Sequence, residues 1–186
     1  MMTLNFRTEG SAESARLIPS GRALDFSQLV EYLKKMRVAC EVYFRHEPWS
    51  YSDSELVAAI GLPVRIMAKV VVLEADGPLL AILPAGWGID IDRVKRLLGL
   101  PEARLATDEE VGQRFDGCDT GAIPPFGNVF NLPVCIDLSL LENDEIAFRA
   151  ETLQQVIKLK VKDFLNLVRP SEGDIRLRPL RMAREP

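Results

Sequence analysis

Apolar positions along this chain switch between two periods, and the switches mark its elements. Asp25 offers a side-chain cap with Gln28 three residues on, and Phe26, Leu29, Val30 and Leu33 then repeat at helical spacing to about Met36. Cys40 to Arg45 is β-prone and ends before His46-Glu47-Pro48-Trp49. A second capping box, Ser52 to Glu55, opens a short helix with Leu56, Val57 and Ile60, closed at Gly61 and Pro63. Ile66 to Leu73 and Leu79 to Leu83 form a predicted hairpin turned at Asp76-Gly77-Pro78.

Beyond a loop at Pro84 to Gly88, Asp90 caps a helix carrying Ile91, Val94, Leu97 and Leu98, which Gly99 and Pro101 end. Thr107 to Glu110 is a third capping box, and its short helix stops at Asp116-Gly117. Strands are predicted at Leu132 to Leu138, Glu145 to Ala150 and Gln155 to Lys160, and a last helix carries Val161, Phe164, Leu165 and Val168 as far as Pro170. Strands interrupted by helices, with antiparallel hairpins, predict a mixed α/β domain of about six or seven strands. Residues 25–170 form that domain in this reading, residues 1–24 a flexible extension, and residues 171–186 a basic tail with Arg176, Arg178, Arg181 and Arg184 that orders on a partner.

Composition narrows the function. Of 186 residues, 47% are hydrophobic and 27% charged, as in an ordinary globular domain. No apolar run reaches membrane-spanning length, and the first 25 residues lack the apolar centre of a secretory signal, so a cytoplasmic protein without a membrane partner is expected. Cys40, Cys118 and Cys135 are far apart and odd in number, against both a disulfide framework and a zinc site. The single histidine, His46, removes multi-histidine metal sites, and neither a metal nor another cofactor is expected. Net charge is −4, so contact with nucleic acid must come from a local cluster of cations. Arg93 to Arg96, Lys158, Lys160 and the arginine tail are the candidates, provided they gather on one face.

Two features stand out from the pattern. Gly117 to Gly127 holds three glycines and a double proline, so it is a shaped loop: either a tight connection or a rigid presenter of backbone N–H groups to a ligand. Lys69 interrupts an otherwise apolar strand, either snorkelling from the alternate face or facing a site. Three further arrangements are weaker in sequence: His46 as a general base, Cys118 with His46 as a thiol nucleophile pair, and Asp119 with Asp137 as paired carboxylates.

Arg45-His46-Glu47-Pro48, Ala68-Lys69-Val70-Val71, Leu83-Pro84-Ala85 and Arg104 to Glu110, followed by Gly121-Ala-Ile-Pro-Pro-Phe-Gly127 and Leu132 to Asp137, together resemble the YbaK/ProX/EbsC family. That family is related to the editing insertion of bacterial prolyl-tRNA synthetases, and the resemblance runs from about Phe26 to Val168. It implies a largely antiparallel, barrel-like sheet with flanking helices, a Gly-x-x-x-Pro loop at Gly121 to Pro125, and an essential lysine at Lys69. It further implies trans-editing deacylation, the hydrolysis of the ester joining a wrong amino acid to its tRNA, with no metal. The implied partners are the acceptor end of an aminoacyl-tRNA and an aminoacyl-tRNA synthetase.

Ester hydrolysis asks mainly for positioning and oxyanion stabilisation. In this reading the N–H groups of Gly121 and Ala122 are oxyanion donors, and Lys69 holds the terminal nucleotide or the carbonyl. A tRNA ribose hydroxyl positions the attacking water. His46, Ile123, Pro124, Pro125, Phe126, Gly127, Asp137 and Leu153 line the substrate site. Many relatives carry Gly-Thr-His where this chain has Glu151-Thr152-Leu153, and that change makes a catalytically silent binding module of the same fold the competing reading.

Overall fold

The computed structural model describes residues 25–44, 59–119 and 121–177. The N-terminal extension, His46, most of the second predicted helix and the end of the arginine tail lie outside the described residues. An eight-stranded mixed sheet is built from β1 (Cys40–Phe44), β2 (Met67–Glu74), β3 (Pro78–Pro84), β5 (Arg104–Leu105), β6 (Val134–Asp137), β7 (Glu145–Ala150), β8 (Thr152–Lys160) and β9 (Ser171–Gly173). Its order is β1-β8-β7-β2-β3-β6-β9, with β5 on β2. Parallel pairs join β2 to β7, β3 to β6 and β6 to β9, and the remaining pairs are antiparallel. A separate two-stranded sheet joins β4 (Gly88–Ile89) to β10 (Arg176–Leu177).

One face of the large sheet carries the main core. The helices α1 (Phe26–Lys35), α4 (Gly127–Phe130), α5 (Leu138–Leu141) and α6 (Val161–Val168) all contribute to it. Asp25 and Gln28 make the expected capping box on α1, whose buried positions Leu29, Val30 and Leu33 are the apolar stripe of the sequence. Phe126 lies at the centre of this core, fully buried and edge-on to Tyr32, Phe148 and Phe164 at ring separations of 5.5 to 6.2 Å.

The other face carries two smaller clusters. Tyr43, Ile60, Ile66, Met67, Ala85, Ala147 and Val156 form the first. Leu73, Leu79, Ala81, Val94, Cys135 and Ile175 form the second, which α2 (Ile91–Leu98) covers from its Asp90 cap. Helix α3 (Asp108–Arg114) begins in a capping box in which Thr107 receives Glu110 N–H, and Arg104 grips the Glu110 carboxylate through both oxygens at 2.6 and 2.8 Å. That guanidinium, seconded by the Thr107 N–H, holds the Glu110 carboxyl down at about 2. Strand β5 and α3 thus enter the glycine-rich loop as one braced unit.

The basic tail departs from expectation at its start, where residues 171–173 pair with β6 and 176–177 with β4. Buried Asp137 supplies the reason, since its carboxylate accepts Ile175 and Arg176 N–H. No described helix is long and apolar enough to cross a membrane.

Candidate active site

Side chains alternate along β2, so Ala68 and Val72 enter the main core while Met67, Lys69, Val71 and Leu73 face the other way. Met67 belongs to the first small cluster and Leu73 to the second. Lys69 therefore stands in the gap between two separately covered apolar patches. It is half-buried, and no hydrogen bond or ion pair holds its ammonium among the described residues.

The sheet also forks here. Strand β2 is paired to β7 at Met67 and Ala68, then to β5 at Leu73 and Glu74, so the edge carrying Lys69 lies where its neighbours part. Crevices at parting strands are the usual ligand sites of α/β sheets. Lys69 pairs with Leu83, and the β3–β6 register places Asp137 next to Leu83 on the same face. Lys69, Leu83 and Asp137 thus form one row across three strands.

The glycine-rich loop reaches the same fork from the end of β7. Gly121 has φ +87°, open to glycine at little cost, and closes a turn in which Ala122 N–H donates to Asp119 O at 2.9 Å. Asp119 N–H donates to Glu151 O at 2.7 Å, Glu151 N–H donates to Ala122 O at 2.8 Å, and Leu153 N–H donates to the Asp119 carboxylate at 3.0 Å. Glu151 itself adopts φ +64°, the conformation for which glycine is favoured, and its carboxylate accepts Phe26 N–H at 2.6 Å. The loop, the β7–β8 turn and the start of α1 are consequently sewn together. A register break between Arg149 and Ala150 bulges β8 beside Leu153.

These contacts revise several sequence assignments. Ala122 N–H is taken by Asp119, so it is not a free oxyanion donor. Ile123 and Phe126 point into the main core and Pro124 and Pro125 are buried, so these four anchor the loop instead of lining a substrate surface. Gly127 is fixed by close packing: a Cβ there would meet Val134 Cγ2 at 2.3 Å and Leu132 O at 2.7 Å. Gly121 alone of the residues from 121 to 127 is exposed, and Leu153 is half-buried.

Asp137 is not available to a substrate either. It is completely buried, and one oxygen accepts Ser139 N–H at 3.0 Å and pairs with Arg176 Nε at 2.9 Å. The other accepts Ile175 N–H at 3.0 Å and Arg176 N–H at 3.2 Å. An acid in an apolar strand required such partners, which is the signal that could have placed Arg176 from sequence. Three of the cations proposed for a basic face are paired with carboxylates. Arg93 pairs with Asp90 and Asp174, Lys95 with Glu102, and Lys158 with Glu41 and Glu145.

The thiol reading of Cys118 is disfavoured by its surroundings. Burial, seconded by the Glu151 and Asp119 charges, pushes its thiol up to about 11. At pH 8 iodoacetamide should therefore modify Cys118 about two orders of magnitude more slowly than a free cysteine. Peptide mapping after timed alkylation measures this, and rapid labelling accompanied by loss of function would restore the nucleophile reading.

The family model for the aminoacyl-tRNA editing domain matches residues 47–167. The multifunctional Ser/Thr-tRNA deacylase ProXp-y of Escherichia coli, in strains K12 and O157:H7, is 37% identical over an alignment of 109 residues that covers 55% of this chain and 65% of the relative. The chain thus matches just under two thirds of the length of those curated relatives. Among solved structures, a protein assigned as a trans-editing enzyme for prolyl-tRNA synthetase is 27% identical with a TM-score of 0.65, covering 74% of this chain and 87% of its own. The structure of a hypothetical protein, 18% identical with a TM-score of 0.69 over 80% of this chain and 99% of its own, shares the fold.

Proposed function

The chain belongs to the aminoacyl-tRNA editing domain family, and from that premise we propose that it is a trans-editing aminoacyl-tRNA deacylase. The observation that carries the reading is Lys69: a half-buried cation without a partner among the described residues, set at the fork of the sheet beside the Gly121 loop. A half-buried ammonium without a partner among the described residues fits a group kept for an anionic ligand.

The reaction is hydrolysis of the ester between an amino acid and the terminal ribose. Water attacks the carbonyl carbon, the carbonyl oxygen takes the charge, and the carbon–oxygen bond to the ribose breaks. The electron pair leaves on the ribose oxygen, which acquires a proton, and the free amino acid departs. In this proposal Lys69 faces the developing oxyanion or the terminal nucleotide, and the exposed Gly121 peptide offers its N–H. The neighbouring ribose hydroxyl positions the water, and Leu153 borders the amino-acid side chain. In this proposal the protein acts in the cytoplasm, where such substrates are made.

The curated relatives are named Ser/Thr-tRNA deacylases, which makes Ser- and Thr-charged tRNA the first substrates to test. Prolyl-tRNA synthetase becomes a partner to test through the solved neighbour. Incubating the protein with correctly and incorrectly charged tRNAs, and following retained radiolabelled amino acid, tests the reading. We expect hydrolysis of a subset containing Ser- or Thr-charged species. Binding of charged tRNA without hydrolysis of any of them would instead support the silent module.

A further inference from the structure

Arg176 and Trp87 meet on the face of the sheet that carries Lys69. The Arg176 guanidinium carbon lies 4.8 Å from the centre of the Trp87 ring. Asp137 fixes that guanidinium through Nε at 2.9 Å, and none of the described bonds uses its Nη atoms. Asp137, which anchors Arg176, lies in the Lys69–Leu83 row two strand spacings from Lys69, roughly 10 Å. Trp87 is tied to the same gap by the chain itself: Ala85 belongs to one of the apolar clusters beside Lys69 and Ile89 packs against the other, so residues 86–88 cross between them. Pairing of Ile89 with Arg176 and of Gly88 with Leu177 holds the two partners together.

We propose that the Trp87–Arg176 pair is a platform for a nucleobase at the single-stranded 3′ end of the tRNA, with Lys69 reaching the sugar or phosphate beside it. The proposal rests on the deacylase reading above and adds to it a binding site. An ion pair with Asp137 would be satisfied by Nε alone. A guanidinium over an indole ring, with no bond to its Nη atoms among the described residues and its side chain 29% exposed, is an arrangement suited to unpaired bases and their phosphates. Arg176 lies beyond the residues matched by the family model, so this half of the platform is a feature of this chain's own C-terminal segment.

The chain has two tryptophans, and in a Trp49→Phe background Trp87 is the sole emitter. Titration of that protein with the trinucleotide CCA should quench its fluorescence saturably. In steady-state assays, Trp87→Leu and Arg176→Lys should lower the ratio of kcat/KM on charged tRNA to kcat/KM on a tRNA-free aminoacyl ester about tenfold. Trp87→Phe should retain most of that ratio. Quenching without hydrolysis of any charged tRNA would overturn the deacylase and leave the platform standing. Hydrolysis with no quenching, and with the substrate ratio unchanged in both variants, would overturn the platform and leave the deacylase.

Discussion

Lys69→Ala is expected to lower kcat/KM on mischarged tRNA by roughly two to three orders of magnitude, the range for removing one preorganised group that faces a developing oxyanion. The fold should survive unchanged. Lys69 has no partner among the described residues, so its replacement orphans none of them, and the packing of its aliphatic stem is lost. Lys69→Met keeps most of that stem without the charge and should fall as far as Ala. Lys69→Arg should retain part of the rate, because the charge persists while its geometry changes. The division between kcat and KM tells which group the ammonium serves. A loss confined to kcat places it at the transition state; a raised KM that steepens with salt places it on the terminal phosphate. Single-turnover deacylation with thermal melting of each variant measures both, and a wild-type rate in Lys69→Ala would remove the site from this face of the sheet.

How far the site could be read in advance follows the range of the interactions involved. The capping boxes at Asp25 and Thr107 and the cap at Asp90 act over three residues, and each forms as its local sequence dictates. The apolar runs of β2, β3 and β7 were equally plain. By contrast, α4 and α5 are single turns, and β5, β9 and β10 span two or three residues, too short for any period to appear. Lys69 was conspicuous by type, but whether it faced a site depended on which strands flank β2, and those come from residues 104–105 and 145–150.

The glycine- and proline-rich loop illustrates a different limit. Its composition requires a shaped turn and is silent about depth, since a ligand-facing loop and a buried anchor need the same φ values. Phe126 resolves the matter only through Tyr32, Phe148 and Phe164, all distant in the chain. Glu151 shows the reverse case. At φ +64° glycine would be cheaper, as in the Gly-Thr-His that the family resemblance leads one to expect, yet the glutamate side chain binds Phe26 N–H and ties α1 to the loop. The departure from the family pattern is thus accompanied by a contact that glycine could not make.

Asp137→Ala should be among the most destabilising single substitutions in the chain, at about 3–5 kcal/mol, because it removes one side of a buried charge pair. The carboxylate takes four hydrogen bonds from two segments, Ser139 N–H and Oγ–H at the start of α5 and Ile175 N–H and Arg176 N–H from the C-terminal segment, and forms an ion pair with the Arg176 guanidinium. Ile175 is itself fully buried, so its N–H would be left without solvent or acceptor. Arg176 is partly exposed and can recover some hydration, which keeps the cost near the lower end of that range. For a domain of this length the melting temperature should fall by about 10 °C.

Asp137→Asn separates charge and hydrogen bonding from shape. An amide fills the same volume, but both carboxylate oxygens accept, so its NH₂ must face a donor whichever way it turns. We therefore expect Asn to lose most of what Ala loses; a near-wild-type melting temperature for Asn would mean that packing alone holds the site. Released from Asp137, residues 174–177 should also exchange their amide hydrogens faster, and Arg176 should leave the Trp87 ring. The loss would then reach function through the row of Lys69, Leu83 and Asp137. Even well below the melting temperature, the Asp137 variants should show weakened recognition of tRNA, with the Lys69 ammonium still in place.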